Sequence, residues 1–97
     1  MMRFKYLPAI AAGLMLAGCD VPPEGTTGED VTRYEMAVAS IGCELVGESD
    51  YLPVELQAGL TREQTVAITS RMLASGKAAK LSTGGVRLMT GACTPDA

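Results

Sequence analysis

The sequence predicts a small α+β domain of two helices, a short extended segment and a C-terminal β-hairpin, and three patterns carry that expectation. Val31, Tyr34, Val38, Ile41 and Leu45 recur at the three-and-four spacing of a helix with one buried stripe. Thr61-Arg62-Glu63-Gln64 places a threonine three residues before a glutamine, the pattern in which each side chain caps the other's backbone N–H at a helix start. The segment 79–90 alternates apolar and polar residues around Gly84-Gly85, which reads as a hairpin.

Taken in order, Asp30 is placed to cap a first helix over residues 31–46, with Met36, Ala39, Cys43 and Val46 forming a second apolar stripe. A helix apolar on two flanks is expected to be buried on two flanks. Gly42 either admits a close neighbour or ends this helix early. Gly47-Glu48-Ser49-Asp50 reads as a turn, and Tyr51-Leu52-Pro53-Val54-Glu55-Leu56 as an extended piece, confined to an edge or a loop by Pro53. The second helix is expected over residues 62–75, with Leu60 ahead of its cap, Val66, Thr69, Met72 and Leu73 facing inward, and Gly76 ending it. With Gly84-Gly85 as the hairpin loop, Leu81 faces Leu88, Thr83 faces Val86 and Lys80 faces Met89. The alternative loop Thr83-Gly84 would set Lys80 opposite Arg87, and like charges directly opposite are unfavourable. A capped helix followed by a basic-tipped hairpin also resembles the end of a winged helix, a likeness of fold that carries no function.

The N-terminal segment is of a different kind. Arg3 and Lys5 precede an apolar run over residues 7–17 that is about half the roughly 20 residues needed to span a bilayer, so it reads as a secretion signal. Leu16-Ala17-Gly18-Cys19 at its end resembles the lipobox of bacterial lipoproteins. The resemblance implies that residues 1–18 are a cleaved signal peptide and that Cys19 becomes the lipidated first residue, carrying the chain on an envelope membrane and facing the periplasm. Asp20, directly after it, favours the inner membrane by the sorting rule of enteric bacteria. Residues 19–29, rich in proline, glycine, threonine and acid, read as a flexible tether, and residues 30–97 as the domain.

A core built from about 80 residues or fewer seldom supplies more than roughly 3–5 kcal/mol. Of three cysteines, Cys43 and Cys93 remain once Cys19 is acylated, an even pair in an exported chain where disulfides persist. Their bridge would close a loop of about 50 residues and stabilise the fold by roughly 4 kcal/mol in the chain-entropy account. The sequence has no histidine and no Cys-x-x-Cys, so a metal or redox site is not expected there.

The net charge of −3 becomes −5 when Arg3 and Lys5 leave with the signal, and it is unevenly distributed. Asp20, Glu24, Glu29, Asp30, Glu35, Glu44, Glu48, Asp50 and Glu55 face a single base, Arg33, in the first part, whereas Arg62, Arg71, Lys77, Lys80 and Arg87 outnumber Glu63 and Asp96 in the second. Either the halves complement each other internally, or the five bases form a surface for an anionic ligand. An acidic exported domain is not expected to bind nucleic acid, where affinity comes from neutralising phosphates. Without histidine, a Gly-x-Ser-x-Gly or a Ser-x-x-Lys, no catalytic residues and no cofactor are expected. Glu44, Glu48, Asp50 and Glu55 cluster in sequence, but not at the spacing of a calcium-binding loop. The expected function is a membrane-anchored, non-catalytic interaction module with an envelope protein as partner; the alternative is a periplasmic binder of a small or polymeric anion.

Overall fold

The computed structural model describes residues 21–95, so the signal segment, Cys19 and Asp20 lie outside the described residues. Three helices, α1 (Gly28–Ser40), α2 (Glu48–Ala58) and α3 (Arg62–Ala74), pack with a three-stranded antiparallel sheet of β1 (Glu44–Leu45), β2 (Ala78–Lys80) and β3 (Val86–Leu88), and a 3-10 turn (Gly91–Cys93) follows. The sheet order is β1-β3-β2, and a three-residue turn from Gly59 to Thr61 joins α2 to α3. The domain is α+β as expected. Its element and strand order are those of a winged helix-turn-helix, a statement about fold alone.

Helix α1 starts earlier than the sequence pattern suggests. Thr27, not Asp30, is the cap: its hydroxyl accepts from the Asp30 N–H at 3.1 Å, and the Asp30 carboxylate accepts from the Thr27 N–H at 3.0 Å. Residues 21–27, expected to be part of a tether, lie along α3 instead. Arg71 Nη1 donates to the Val21 carbonyl at 2.7 Å, Gln64 Nε2 donates to the Gly25 carbonyl at 3.0 Å, and Pro23 is buried. Two proline rings and a local turn, with Thr26 donating to the Pro23 carbonyl, lower the entropy cost of holding this segment in place.

The helix also ends earlier than expected. The Gly42 N–H donates to the Ala39 carbonyl and the Cys43 N–H to the Val38 carbonyl, the paired bonds of a Schellman motif with Gly42 at φ 101°. Only glycine adopts that conformation without penalty. Cys43, Leu45 and Val46 therefore leave the helix, and Leu45 reaches the core from β1. The second apolar stripe is not a buried flank: Met36 is 67% exposed and Val46 46%.

Residues 51–56 are helical, not extended. Their periodicity places Val54 and Ala58 in the core, and Pro53 sits inside α2 at a half-buried position. Proline removes the N–H that would have bonded the Ser49 carbonyl, but Ser49 is exposed, so water can satisfy it. Helix α3 has the expected capping box, Thr61 with Gln64. Its inward face is Thr65, Ile68, Thr69 and Met72, with Val66 turned outward.

The hairpin pairs Ala78 with Leu88, Ala79 with Arg87 and Lys80 with Val86, a register three residues away from the expected one. A third strand explains the shift. β1 lies on the other side of β3 with Glu44 opposite Arg87, so opposite charges rather than leucines meet there, and Leu81 falls into a loop through Gly85. Gly85 is buried against β1: a Cβ on it would lie 2.5 Å from the Leu45 carbonyl oxygen and 2.7 Å from the Val46 Cα.

The core gathers Tyr34, Ala37 and Val38 of α1, Leu45, Val54, Ala58, Leu60, Ile68, Met72, Ala78, Leu88 and Cys93. One polar chain crosses it. Thr69 donates its hydroxyl proton to the Thr65 carbonyl at 2.8 Å, so the Tyr34 hydroxyl, 2.7 Å from Thr69 Oγ1, must be the donor between them. Burial pushes the Tyr34 phenol up to about 12, which keeps the proton it donates.

Two predictions follow from this packing. Because the phenol ionises near 10 in the unfolded chain and near 12 in the fold, its stabilising contribution is complete below pH 10 and lost as pH rises through 12. Urea midpoints at pH 9 and pH 11.5 are expected to show wild type losing about 2 kcal/mol more than Tyr34→Phe over that interval; equal losses would refute the buried donor. Gly85→Ala pushes a methyl into backbone and is expected to cost about 2–3 kcal/mol in urea denaturation, whereas Gly28→Ala, with nothing within 4 Å, is neutral or mildly stabilising.

Candidate functional site

Cys43 and Cys93, 50 positions apart in sequence, are joined by a disulfide with Cα atoms 5.6 Å apart. The pairing matches the expectation, but the setting differs: Cys43 is not on a helix flank. It follows Gly42 with φ 71°, a left-handed conformation uncommon for a residue with a side chain. Its carbonyl accepts from the Leu88 N–H at 2.9 Å, so the strained residue is held from the sheet as well as through its sulfur. Cys93 is buried in the 3-10 turn, which is also tied to α1 by Thr90 donating to Glu35 at 2.7 Å. The bridge is structural, enclosed between the end of α1 and the end of the chain's last turn.

The five basic residues considered for an anionic ligand are not gathered into one site. Arg62 stands at the first turn of α3 and Arg71 in its last, about 13 Å apart along the axis at 1.5 Å per residue. Arg62 donates to both oxygens of Glu48 at 3.1 and 2.6 Å, to Glu55 through Nε, and lies 4.9 Å from the Tyr51 ring centroid. The bidentate bond holds the Glu48 carboxyl below the usual carboxylate range, while Glu48 and then Glu55 push the guanidinium further up, so it stays charged. Arg87, on the central strand, donates to Glu44 at 3.2 Å. Arg71 bonds the Val21 carbonyl, Lys77 lies half-buried in the link from α3 to β2, and Lys80 is exposed at the end of β2.

The acidic cluster separates for the same reason. Glu48 and Glu55 face Arg62, Glu44 faces Arg87, and Asp50 accepts from the Val46 N–H at 2.8 Å. Among the described residues no group of histidine, cysteine or carboxylate side chains is arranged to hold a metal. Part of the uneven charge of the sequence is therefore internal complementarity, with Arg62 clamping α2 to α3 and Arg87 clamping β1 to β3.

What the surface does carry is apolar. Leu56 is 83% exposed and Leu52 50%, one turn apart on α2, next around the helix from Glu48 and Glu55. Sequence reasoning missed them because residues 51–56 were read as extended; the i, i+4 leucines flanking a proline were the available signal. Met36, on α1, lines an open groove with Arg33, Ala37, Ser40 and Gln57. On the other flank of α1, Val31 closes a pocket of about 40 Å³ with residues 21–23, Ile68, Arg71 and Met72. A volume that holds a water or so is a packing seam rather than a ligand site. No helix among the described residues is long and apolar enough to cross a membrane.

Removing the bridge tests its structural role. Cys43→Ser and Cys93→Ser are each expected to lower stability by about 2–5 kcal/mol in denaturant titrations, with the double variant no worse than either single one because all three lose the same bond. Non-reducing peptide maps showing both thiols free in protein from an oxidising compartment would overturn this. Compared with protein-family models, curated proteins and solved structures, the chain matches none of them.

Proposed function

We propose that the protein is a lipid-anchored envelope protein, held through Cys19 and facing the periplasm, that acts as a non-catalytic interaction module for another envelope protein. The observation that carries the reading is the exposed leucine pair of α2. Leu52 and Leu56 keep large apolar area in water on a helix that otherwise contributes Val54 and Ala58 to the core. Leu56, Leu52 and the Arg62 clamp lie toward the first turn of α3, whereas residues 21–23, which lead from the anchor, lie against its last turn. An apolar face at the opposite end of the domain from its attachment is free to meet a partner while the anchor stays in the membrane.

Two features favour this reading over the others. Arg62 and Arg87 are already bonded to carboxylates, which weakens the case for an anion-binding surface. The outward face of α3, which a winged helix-turn-helix would offer to a nucleic acid groove, carries Glu63, Val66, Ser70 and Ala74 rather than cations, and phosphate neutralisation is what gives such binding its affinity.

The test is photocrosslinking in cells from position 56 of the full-length precursor. One discrete adduct is expected from position 56, absent from position 82 in the hairpin loop, and lost when Leu52→Asp is combined with the position 56 label. An identical adduct pattern from both positions, or none from position 56, would refute the leucine face as the contact. Cys19→Ala is expected to leave an unlipidated precursor and to abolish the adduct.

A further inference from the structure

We infer that the domain sits directly on the bilayer surface, with Arg71 in the last turn of α3 and Lys77 in the link that follows it against anionic headgroups, rather than moving freely on a tether. The inference rests on the reading of Cys19 as the lipidated residue. It comes from the length of chain left between anchor and fold. Residues 19–29 were expected to form the tether, yet the segment from Val21 onward is docked: Val21 on Arg71, Gly25 on Gln64, and Pro23 buried. Bonds at residues 71 and 64 to residues 21 and 25 show that the segment runs antiparallel to α3, so its membrane-proximal end meets the helix's C-terminal turn.

Only Asp20 then separates Cys19 from Val21, two Cα–Cα steps and at most about 7 Å of extended chain. A diacylated cysteine lies at the headgroup boundary, and 7 Å is less than the diameter of one helix. The end of α3 is thus held within headgroup reach. What that end presents suits the location. Val21 is 51% exposed, an apolar residue beside the lipid. Arg71 is exposed and bonds a neutral carbonyl, with no carboxylate partner among the described residues, and Lys77 lines the same pocket. Asp20 adds one opposing charge in the connecting stretch. Each cation near an anionic surface raises its local association by about five-fold. Helix α3, about 20 Å long, carries the Arg62 end and the N-terminus of α2 away from that contact.

The test uses protein purified from envelopes of a bacterium expressing the full precursor, reconstituted into vesicles of equal phosphatidylcholine and phosphatidylglycerol containing headgroup-quencher lipid. A fluorescent residue is placed at Ser75, beside the seat, or at Ser49 on α2. Strong quenching at Ser75 with little at Ser49, diminished in phosphatidylcholine alone and by Arg71→Gln with Lys77→Gln, is the expected result. Equal quenching at both positions, or quenching at Ser75 indifferent to vesicle charge and to both substitutions, would overturn the seat. Intact mass reads the anchor separately: an unmodified Cys19 overturns the lipid reading. The seat is then measured on the same protein coupled through Cys19, the one cysteine outside the disulfide, to a maleimide phospholipid.

Discussion

Two successive residues with positive φ, Gly42 at 101° and Cys43 at 71°, turn the chain out of α1, and the sheet, the disulfide and the course of α2 all depend on that turn. The Schellman bonds satisfy carbonyls that the helix end would leave open, and they aim residues 44–45 along β3. The same turn points Cys43 at Cys93, so the cross-link secures a junction that carries backbone strain. An L residue in this conformation costs of order 1–2 kcal/mol, and the disulfide together with the Leu88 to Cys43 hydrogen bond is what holds it there. The weakest piece of backbone geometry and the strongest covalent constraint coincide.

Charge has a comparable role at the other joints. Arg62 sits one residue after the cap of α3 and reaches two carboxylates and one ring on α2, which helps define the approach of the two helices. These groups are partly exposed, so the interaction contributes geometry more than stability. Arg87 does the same across β1 and β3, a sheet whose strands are two and three residues long and cannot define their register by length. The cations that the sequence offers as a binding surface are in large part the pins of the fold, and the surface left over is the apolar face of α2.

Residues 21–27 are docked where a linker was expected. A segment rich in proline and glycine reads as a linker because it buries little of itself. Here it need not bury itself, because α3 supplies a groove, two donors and a wall of Ile68 and Met72. A domain attached through Cys19, as proposed, would have its orientation coupled to its attachment, with the two poles of α3 separated by the helix's length.

The sequence by itself determined the features that depend on near neighbours, the α+β class, the Thr61–Gln64 capping box and the end of α3 at Gly76, and it pointed to the Cys43–Cys93 pair by parity once Cys19 is read as acylated. Tertiary structure decided whatever depended on a distant partner. The first helix's cap moved from Asp30 to Thr27 because the preceding residues dock on α3 and Asp30 serves as the reciprocal acceptor. Residues 51–56 became helical because burial of Val54 and Ala58 against α1 outweighs one missing hydrogen bond at Pro53. The hairpin register was decided by β1, a two-residue strand from across the chain, because Gly85 alone can pass against its backbone and Glu44 alone can meet Arg87. Local patterns record which face of an element is apolar, whereas the choice between alternative pairings is made by the element that fills the space opposite.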